Sequence, residues 1–388
     1  MRWTTQSAPE SRPVVDWLAG QIHDPVAKLR FLKIAANHGR PDARKRSGLR
    51  RYLLLGVVCL PAAVLLVHAM GRGQTPPPRV LRAVIPPAAP SRPAGEPPPI
   101  WQVEKTPDYE VYSNGLRIET RYTTSTHHRR YVAFAAGSPA REPSALRDAP
   151  AGIVFHATES RQAPFEESEN RQLKRFGESA LEYVRRKGAY NFVIDRFGRV
   201  YRVVEESDAA NHAGYSLWAD DRWIYINLNE SFLGVSFEAG AATGEQAVIS
   251  PAQQRAAAVL VEMLRGRYRI APENCITHAQ VSVNPDNMRV GYHTDWAAGF
   301  PFEAIGLPNN YTRPLSAVAH FGFVCDPVFL EQADHHLRSG IQSAEDLLRR
   351  SGSVRAQLQR EYRAKLALVR RIAAGVSPAV PELASAIK

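Results

Sequence analysis

The feature that most constrains this chain is an uncharged apolar run followed closely by a proline-rich stretch. Residues 52–69 read YLLLGVVCLPAAVLLVHA and carry no formal charge over 18 positions. A helix of that length covers roughly 27 Å at about 1.5 Å per residue, close to the hydrocarbon thickness of a bilayer. Residues 73–100 then hold 10 prolines in 28 positions, which favours an extended polyproline II spacer over a packed layer. The sequence therefore predicts a membrane anchor and a semi-rigid linker ahead of the main folded part.

Positive charge is concentrated before the apolar run. Residues 1–51 contain 11 Lys or Arg and 4 Asp or Glu, a net of +7, which leaves +4 of the total +11 for the rest of the chain. The positive-inside rule then places the N-terminus in the cytoplasm and everything after Met70 on the other side. Since the basic character is mostly N-terminal, we do not expect nucleic acid as a partner.

Two other interpretations of the apolar run remain open. A buried core helix is disfavoured by Pro61 in mid-run and by the adjacent prolines. A cleaved signal peptide is suggested by the small residues Val67 and Ala69, although the long basic leader favours an uncleaved anchor. The segment Val14–Ala36 is amphipathic, which leaves open a cytoplasmic partner.

Local patterns after the linker alternate between strands and helices. Asn114–Gly115 lies between two β-prone segments, as in a two-residue hairpin. Ser250 and Pro251 are the start signals of a helix. The other expected elements are strands at 152–155 and 233–238, a strand pair within 190–204, and helices at 167–187 and 251–268. This alternation predicts an α/β fold with a mixed central sheet flanked by helices.

From about Tyr311 onward the pattern is helical. Ser343 and Asp346 have the spacing of a capping box. An apolar stripe at spacings of four or three is expected to pack on the preceding domain or on a partner helix, and it comprises Val354, Leu358, Tyr362, Leu366, Val369 and Ile372. Of the three cysteines, Cys59 lies in the apolar run, while Cys275 and Cys325 could pair in an oxidising compartment but are expected to be free thiols.

Two short apolar segments each end in a histidine. His156 closes the strand in GIVFHATES, and His278 follows the segment Asn274–Thr277. A lone histidine at a strand end is usually a hydrogen-bonded structural residue. Two of them can converge on one metal ion, and a catalytic zinc takes three protein ligands and keeps a fourth position for water.

Several further motifs occur in a recognisable order along the chain. They are GIVFHATES, AYNFVIDRFGRVYRVVEE, NHAGYS, NLNESFLGVSFE, and THAQVS with HTDWAAGFPF. Together they resemble the zinc-dependent N-acetylmuramoyl-L-alanine amidases, a family that includes the peptidoglycan recognition proteins. The resemblance covers residues 150–305 and implies a mixed α/β fold and a bound Zn²⁺.

The resemblance implies that His156, His278 and Asp295 are the zinc ligands. Asp295 precedes the Phe300–Phe302 aromatic-proline-aromatic signature expected after the third ligand, whereas Asp286 has no such tail. The 17 positions from His278 to Asp295 exceed the family's usual spacing, so Asn284–Gly291 is expected to be an inserted loop.

The same resemblance implies roles for five residues beyond the ligands. Tyr190 and His293 are the expected catalytic residues, acting on the water nucleophile and the developing oxyanion. His212 and Asn229 match positions near the substrate cleft, although they could instead only shape their loops. Asn191, which stands where histidine is common in the family, is also expected to bind substrate.

One departure concerns a family acid. Ser236 stands where intracellular relatives carry a catalytic glutamate, and Glu238 follows two residues later. This substitution resembles the recognition proteins of the family, some of which are active through the tyrosine.

The implied activity is hydrolysis of the amide between N-acetylmuramic acid and L-alanine in peptidoglycan, by a single-pass membrane protein whose catalytic domain faces the periplasm. The rival is a peptidoglycan-binding module without turnover, in a membrane-anchored assembly or regulatory protein. The corresponding division is 1–51 cytoplasmic segment, 52–70 transmembrane anchor, 71–100 linker, 101–310 amidase domain, and 311–388 helical extension.

Overall fold

The computed structural model describes residues 99–136, 143–240 and 247–375. The predictions for the cytoplasmic segment, the membrane anchor and nearly all of the linker lie outside these described residues. Within the described ranges, we find no helix with the length and apolar character needed to cross a bilayer.

A mixed sheet of eight strands forms the centre of the fold, in the order β1-β2-β3-β7-β6-β10-β5-β11. Strands β6, β10, β5 and β11 run parallel to one another, whereas β1, β2 and β3 form an antiparallel meander and β6 pairs antiparallel with β7. The bounds are β1 Gln102–Lys105, β2 Tyr109–Tyr112, β3 Arg117–Glu119, β5 Gly152–Ala157, β6 Phe192–Ile194, β7 Val200–Arg202, β10 Phe232–Phe237 and β11 Cys275–Thr277.

Two three-stranded sheets lie outside the central one, β4-β9-β8 and β12-β13-β14. Their strands are β4 Ala133–Ala135, β8 Leu217–Ala219, β9 Trp223–Ile226, β12 Val283–Asn284, β13 Arg289–Val290 and β14 Val324–Cys325. Sequence patterns had not indicated these short strands.

Helices cover both faces of the central sheet. The helices are α1 Asn170–Lys187, α2 Leu228–Ser231, α3 Pro251–Tyr268, α4 His278–Val281, α5 Ser316–Phe321, α6 Pro327–Gln332, α7 His335–Ser351 and α8 Arg355–Ala373. Leu181 and Val184 of α1 share a buried apolar cluster with Val193 of β6, while Leu260 of α3 and Val235 of β10 belong to another cluster. The predicted mixed α/β sheet with flanking helices is confirmed.

Helix α3 shows how directly sequence sets a boundary here. Ser250 accepts a hydrogen bond from the Gln253 backbone, the Gln253 side chain bonds back to Ser250, and Pro251 occupies the first turn. The cap satisfies backbone N–H groups that the first turn leaves without intrahelical partners. Helix α3 has the predicted bounds. A hairpin at Asn114 joins β2 and β3 as predicted, but its connection, Ser113–Leu116, is longer than the predicted two residues.

The C-terminal helices pack on the rest of the fold. Tyr362, Leu366 and Val369 of the predicted stripe are buried in the main apolar cluster. The predicted capping box at Ser343 is wrong, because Ser343 lies inside α7 and the cap is Asp334, whose side chain accepts from the Leu337 N–H. Cys275 and Cys325 are buried free thiols.

Candidate metal centre

Two neighbouring parallel strands bring the histidines together. His156 lies near the carboxyl end of β5, and His278 begins α4 immediately after β11, the strand that pairs with β5. Asp295 comes from the loop beyond β13, where its carbonyl accepts a hydrogen bond from the Ala279 N–H at 3.2 Å. Parallel strands end at the same sheet edge, so a long sequence separation becomes a short distance.

The side chains of His156, His278 and Asp295 converge. One ligand atom from each lies within 4.8 Å of the others. His278 Nδ1 is 2.7 Å from Asp295 Oδ1, and His156 Nδ1 is 3.4 Å from Asp295 Oδ2. All three side chains are buried, with exposures of 1% for His156, 7% for His278 and 6% for Asp295.

A chain of contacts determines which nitrogen of neutral His156 carries the proton. His212 Nε2 lies 3.2 Å from the Phe232 carbonyl oxygen, which can only accept, so Nε2 must donate. In neutral His212 the other nitrogen, Nδ1, is then an acceptor, and it lies 3.1 Å from His156 Nε2. His156 therefore donates from Nε2 and keeps a free lone pair on Nδ1. That lone pair faces Asp295.

This arrangement is suited to a cation. Burial and His278 together lower the pKa of His156 to about 4, despite the opposing Asp295. Burial alone would raise the pKa of Asp295, but His278 and His156 hold it well below its usual range. At neutral pH an imidazole lone pair therefore faces a carboxylate oxygen, a repulsive contact that a metal ion would make attractive. Two imidazole nitrogens and one carboxylate form a donor set that fits zinc with one position left open.

The His212 ring is held by its surroundings. A Cβ at Gly234 would approach His212 Cγ to 2.7 Å, so glycine is required beneath the ring. Asn229 Oδ1 accepts from three successive backbone N–H groups, those of His212, Ala213 and Gly214, at 2.7 to 2.9 Å. The His212 ring thus packs against β10 at Gly234, and the His212 backbone is held by the Asn229 side chain.

Arg129 supports the same region from outside the sequence motifs. Its fully buried guanidinium donates to the carbonyls of Glu206, Asp208, Glu230 and Phe232, at 2.6 to 3.2 Å. Burial lowers the pKa of Arg129 to about 10, so it is still a cation at neutral pH. It shares the Phe232 carbonyl with His212. No sequence signal identified this residue, because its partners are backbone atoms distant in the chain.

The two predicted catalytic residues flank the ligands. The Tyr190 ring centroid is 5.0 Å from that of His156, and its backbone has φ +58°, a strained conformation for a bulky residue. Burial and Asp295 raise the pKa of the Tyr190 phenol, so it is a hydrogen-bond donor at neutral pH. His293 stacks on His278 with ring centroids 4.8 Å apart.

The residues predicted to bind substrate are differently engaged. Asn191 is fully buried: its amide donates to the Val204 and Glu205 carbonyls and its oxygen accepts from the Gly234 N–H. Both ring nitrogens of His212 point inward, and Asn229 ties the loop that carries His212. The described hydrogen bonds of these three residues are made within the protein, and their role in substrate binding stays a prediction. Asp286 is exposed and apart from the ligand cluster.

The predicted insertion is an ordered hairpin. Residues 284–291 include the turn between β12 and β13, and β13 pairs with β14 from the C-terminal part of the chain. The same part braces the loop that carries Asp295. Asp334 accepts from the Gly299 N–H at 3.2 Å and its own N–H donates to the Ala297 carbonyl at 3.2 Å.

Comparison with known proteins agrees with this geometry. Residues 146–295 match the family model described as N-acetylmuramoyl-L-alanine amidase. Residues 146–295 belong to the type 2 N-acetylmuramoyl-L-alanine amidase family. The matched segment contains His156, His278 and Asp295, while β1 to β4 and α5 to α8 lie outside it. None of the curated proteins matches the chain.

Solved structures of low identity are also similar to parts of the chain. The amidase LysC from Clostridium intestinale URNW is 20% identical over 47% of this chain and 93% of its own, with a TM-score of 0.26. The amidase AmiD from E. coli, solved with an anhydro-N-acetylmuramic acid peptide, is 19% identical over 66% and 96%, with a TM-score of 0.35. The Drosophila peptidoglycan recognition protein SD is 14% identical over 44% and 86%, with a TM-score of 0.28.

Proposed function

We propose that this protein is a zinc-dependent peptidoglycan amidase that cleaves the amide between N-acetylmuramic acid and L-alanine. The observation that carries the proposal is the buried convergence of His156, His278 and Asp295, with the His156 lone pair directed at a carboxylate oxygen. This donor set lies within the segment matched by the amidase family. A module that only bound peptidoglycan would have no need for such a complete set.

The chain's own residues divide the remaining work. Hydrolysis adds hydroxide to the lactyl carbonyl carbon and a proton to the nitrogen of L-alanine, and a zinc ion at this site would supply Lewis acidity for that chemistry. Tyr190, protonated at neutral pH, donates a hydrogen bond to the carbonyl oxygen as negative charge develops there. His293, beside ligand His278, carries the proton to the leaving nitrogen.

We further propose that the catalytic domain is periplasmic and is tethered through residues 52–70. The sequence supports this location, because the basic segment 1–51 precedes an apolar run of bilayer length and residues 73–100 form an extended spacer. Such a tether would place the domain near peptidoglycan. Fusion of a periplasm-dependent reporter after residue 388, active only outside the cytoplasm, tests this topology.

Incubation of the purified protein with peptidoglycan sacculi tests the activity. Released stem peptides with a free L-alanine amino group are expected, abolished by a chelator and restored by zinc. Bound zinc without any release would overturn the amidase proposal and favour a binding module. Measuring zinc content in the same samples separates a failure of metal loading from a failure of chemistry.

A further inference from the structure

Tyr292 is a residue at the metal centre for which the proposed reaction has no role. It lies at the surface end of a row of rings. Ring centroids are 4.8 Å apart between Tyr292 and His293, 4.8 Å between His293 and His278, and 4.4 Å between His278 and His156. Tyr292 is 49% exposed, whereas His278 is buried. The row thus leads from solvent to the metal ligands, and Tyr292 forms its rim.

The backbone on both sides of Tyr292 is fixed. The Gly291 N–H donates to the Ser282 carbonyl at 2.9 Å, and the His293 N–H donates to Ser282 Oγ at 2.8 Å. Gly291 has φ +96°, and a Cβ there would come within 2.3 Å of Phe329 Cβ. These contacts hold the backbone of Tyr292 between Ser282 and α6. An exposed ring held in this way loses little conformational entropy when a ligand packs on it.

We propose that Tyr292 is a platform for the pyranose ring of N-acetylmuramic acid. The inference rests on the proposed function, in which the scissile carbonyl is joined to that sugar by a short lactyl arm. Substrate bound at the metal centre must therefore place the sugar close to the rim. A pyranose has a C–H face and hydroxyl edges, and a tyrosine offers an apolar ring face with a polar tip in water.

The charges around Tyr292 favour a sugar over the stem peptide. The stem carries carboxylates, which would be recognised by an available cation. The cation on the adjacent hairpin, Arg289, is already paired with Asp326 at 3.2 Å. The rim therefore matches an uncharged ring better than it matches a carboxylate.

Two substrates that share the scissile amide test the proposal. One is a muramoyl peptide, and the other is the D-lactoyl peptide with the same stem, which lacks the sugar. With the zinc-loaded full chain, we expect wild type to prefer the muramoyl peptide. Tyr292→Ala should raise KM for that substrate about 3- to 10-fold, the usual contribution of one aromatic contact, with little change in kcat. Its activity on the lactoyl peptide should match wild type.

Two further variants make the outcome specific. Tyr292→Phe keeps the ring and should retain most of the preference for the sugar. Trp101→Ala removes an aromatic side chain that is 63% exposed, next to the far edge strand β1, and should leave both substrates unaffected.

Each failure has its own signature. An unchanged substrate ratio in Tyr292→Ala would overturn the sugar platform, and so would an equal loss on both substrates, which would mean that the ring only supports His293. Absence of turnover on both substrates by wild type would instead refute the proposed function. A lower KM of wild type for the lactoyl peptide than for the muramoyl peptide would also overturn the platform.

Discussion

Two buried polar clusters on the central sheet differ in how their charges are matched. In the first, Arg202 Nη1 is 2.9 Å from Glu110, and its Nε and Nη2 are 2.8 and 3.0 Å from the two oxygens of Glu206. Each of these donors faces an acceptor. In the second, a lone pair of His156 faces a carboxylate oxygen of Asp295. Burial of charge is common to both, and the mismatch of donors and acceptors belongs only to the metal centre.

The pKa directions express the same difference. Burial would lower the pKa of Arg202, but Glu206 and Glu110 raise it. Burial would raise the pKa of Glu110, but Lys105 and Arg202 lower it to about 2. The ionic cluster thus stabilises both of its charges. At the metal centre, Asp295 is kept ionised while His156 is kept neutral. The Arg202 cluster, in which every charge has a partner, supports the fold. The His156–Asp295 pair, in which a carboxylate faces a neutral imidazole, is suited to bind a cation.

The largest expected effect comes from removing the charge of the proposed metal centre. Asp295→Asn preserves the shape of the side chain but replaces an anionic ligand by a poor neutral one, so bound zinc should be lost. Turnover should fall at least about 10³-fold, roughly 4 kcal/mol of barrier. Zinc content and release of stem peptide measure this.

Asp286→Asn is the matched control for that variant. Asp286 is exposed on the hairpin between β12 and β13, so its substitution should change neither zinc content nor turnover. Retention of stoichiometric zinc by Asp295→Asn would contradict the assignment of Asp295 as a ligand.

The next effect concerns the ionic cluster. Arg202→Met leaves Glu206 buried without its counter-charge and leaves Glu110 with Lys105 alone, so the free energy of unfolding should fall by about 3–5 kcal/mol. Urea denaturation of the zinc-loaded protein measures it. Zinc bound per folded molecule should stay the same, because the cluster does not contact the metal ligands.

A triple variant sharpens this result. Arg202→Met combined with Glu110→Gln and Glu206→Gln removes all three charges together and should be less destabilised than Arg202→Met alone. A single variant as stable as wild type would show that the ion pairs do not hold this part of the sheet.

A smaller effect is expected from the residue that orients His156. His212→Ala removes the acceptor for His156 Nε2, so zinc affinity should fall about 10- to 100-fold. Competition with a chromophoric chelator measures this without reference to catalysis. His212→Asn offers a side-chain oxygen near the position of Nδ1 and should recover part of the affinity. Equal zinc affinity in wild type and His212→Ala would contradict the tautomer argument.

Sequence alone predicted the parts of this molecule that depend on local chemistry. Ser250 and Pro251 defined the start of α3, and the two strand-end histidines suggested a metal site. Asp295 was added to that site by the family resemblance. These signals work because caps and strand ends are short-range features. The predicted cap at Ser343 is wrong because the spacing of Ser343 and Asp346 can also occur inside a helix. The N-cap of α7 is Asp334, which precedes the helix.

The remaining features depend on contacts between distant segments. Arg129 acts on carbonyls about 80 to 100 residues away in sequence, and such acceptors have no residue-type signature. Strand β13 gains a partner, β14, from beyond the family-matched segment. Asn191 and His212 were placed at the cleft by resemblance, but their hydrogen bonds could only be seen once the sheet brought Gly234 and Phe232 beside them.

The smallest expected effect separates two buried serines of one segment. Ser231 and Ser236 are both fully buried, and Ser231 Oγ donates to the Asn227 carbonyl at 3.2 Å. Ser236 Oγ is near enough to Tyr190 to lower the pKa of its phenol. Within the described residues, however, Ser236 Oγ has no partner at hydrogen-bond geometry. A buried hydroxyl without a partner costs free energy, whereas a bonded one contributes about 1 kcal/mol.

Ser231→Ala should therefore lower the free energy of unfolding by about 1 kcal/mol, and Ser236→Ala should leave it unchanged or raise it by a similar amount. Urea denaturation of the two variants side by side measures the difference, and equal destabilisation would mean that Ser236 does have a hydrogen-bond partner in the folded protein.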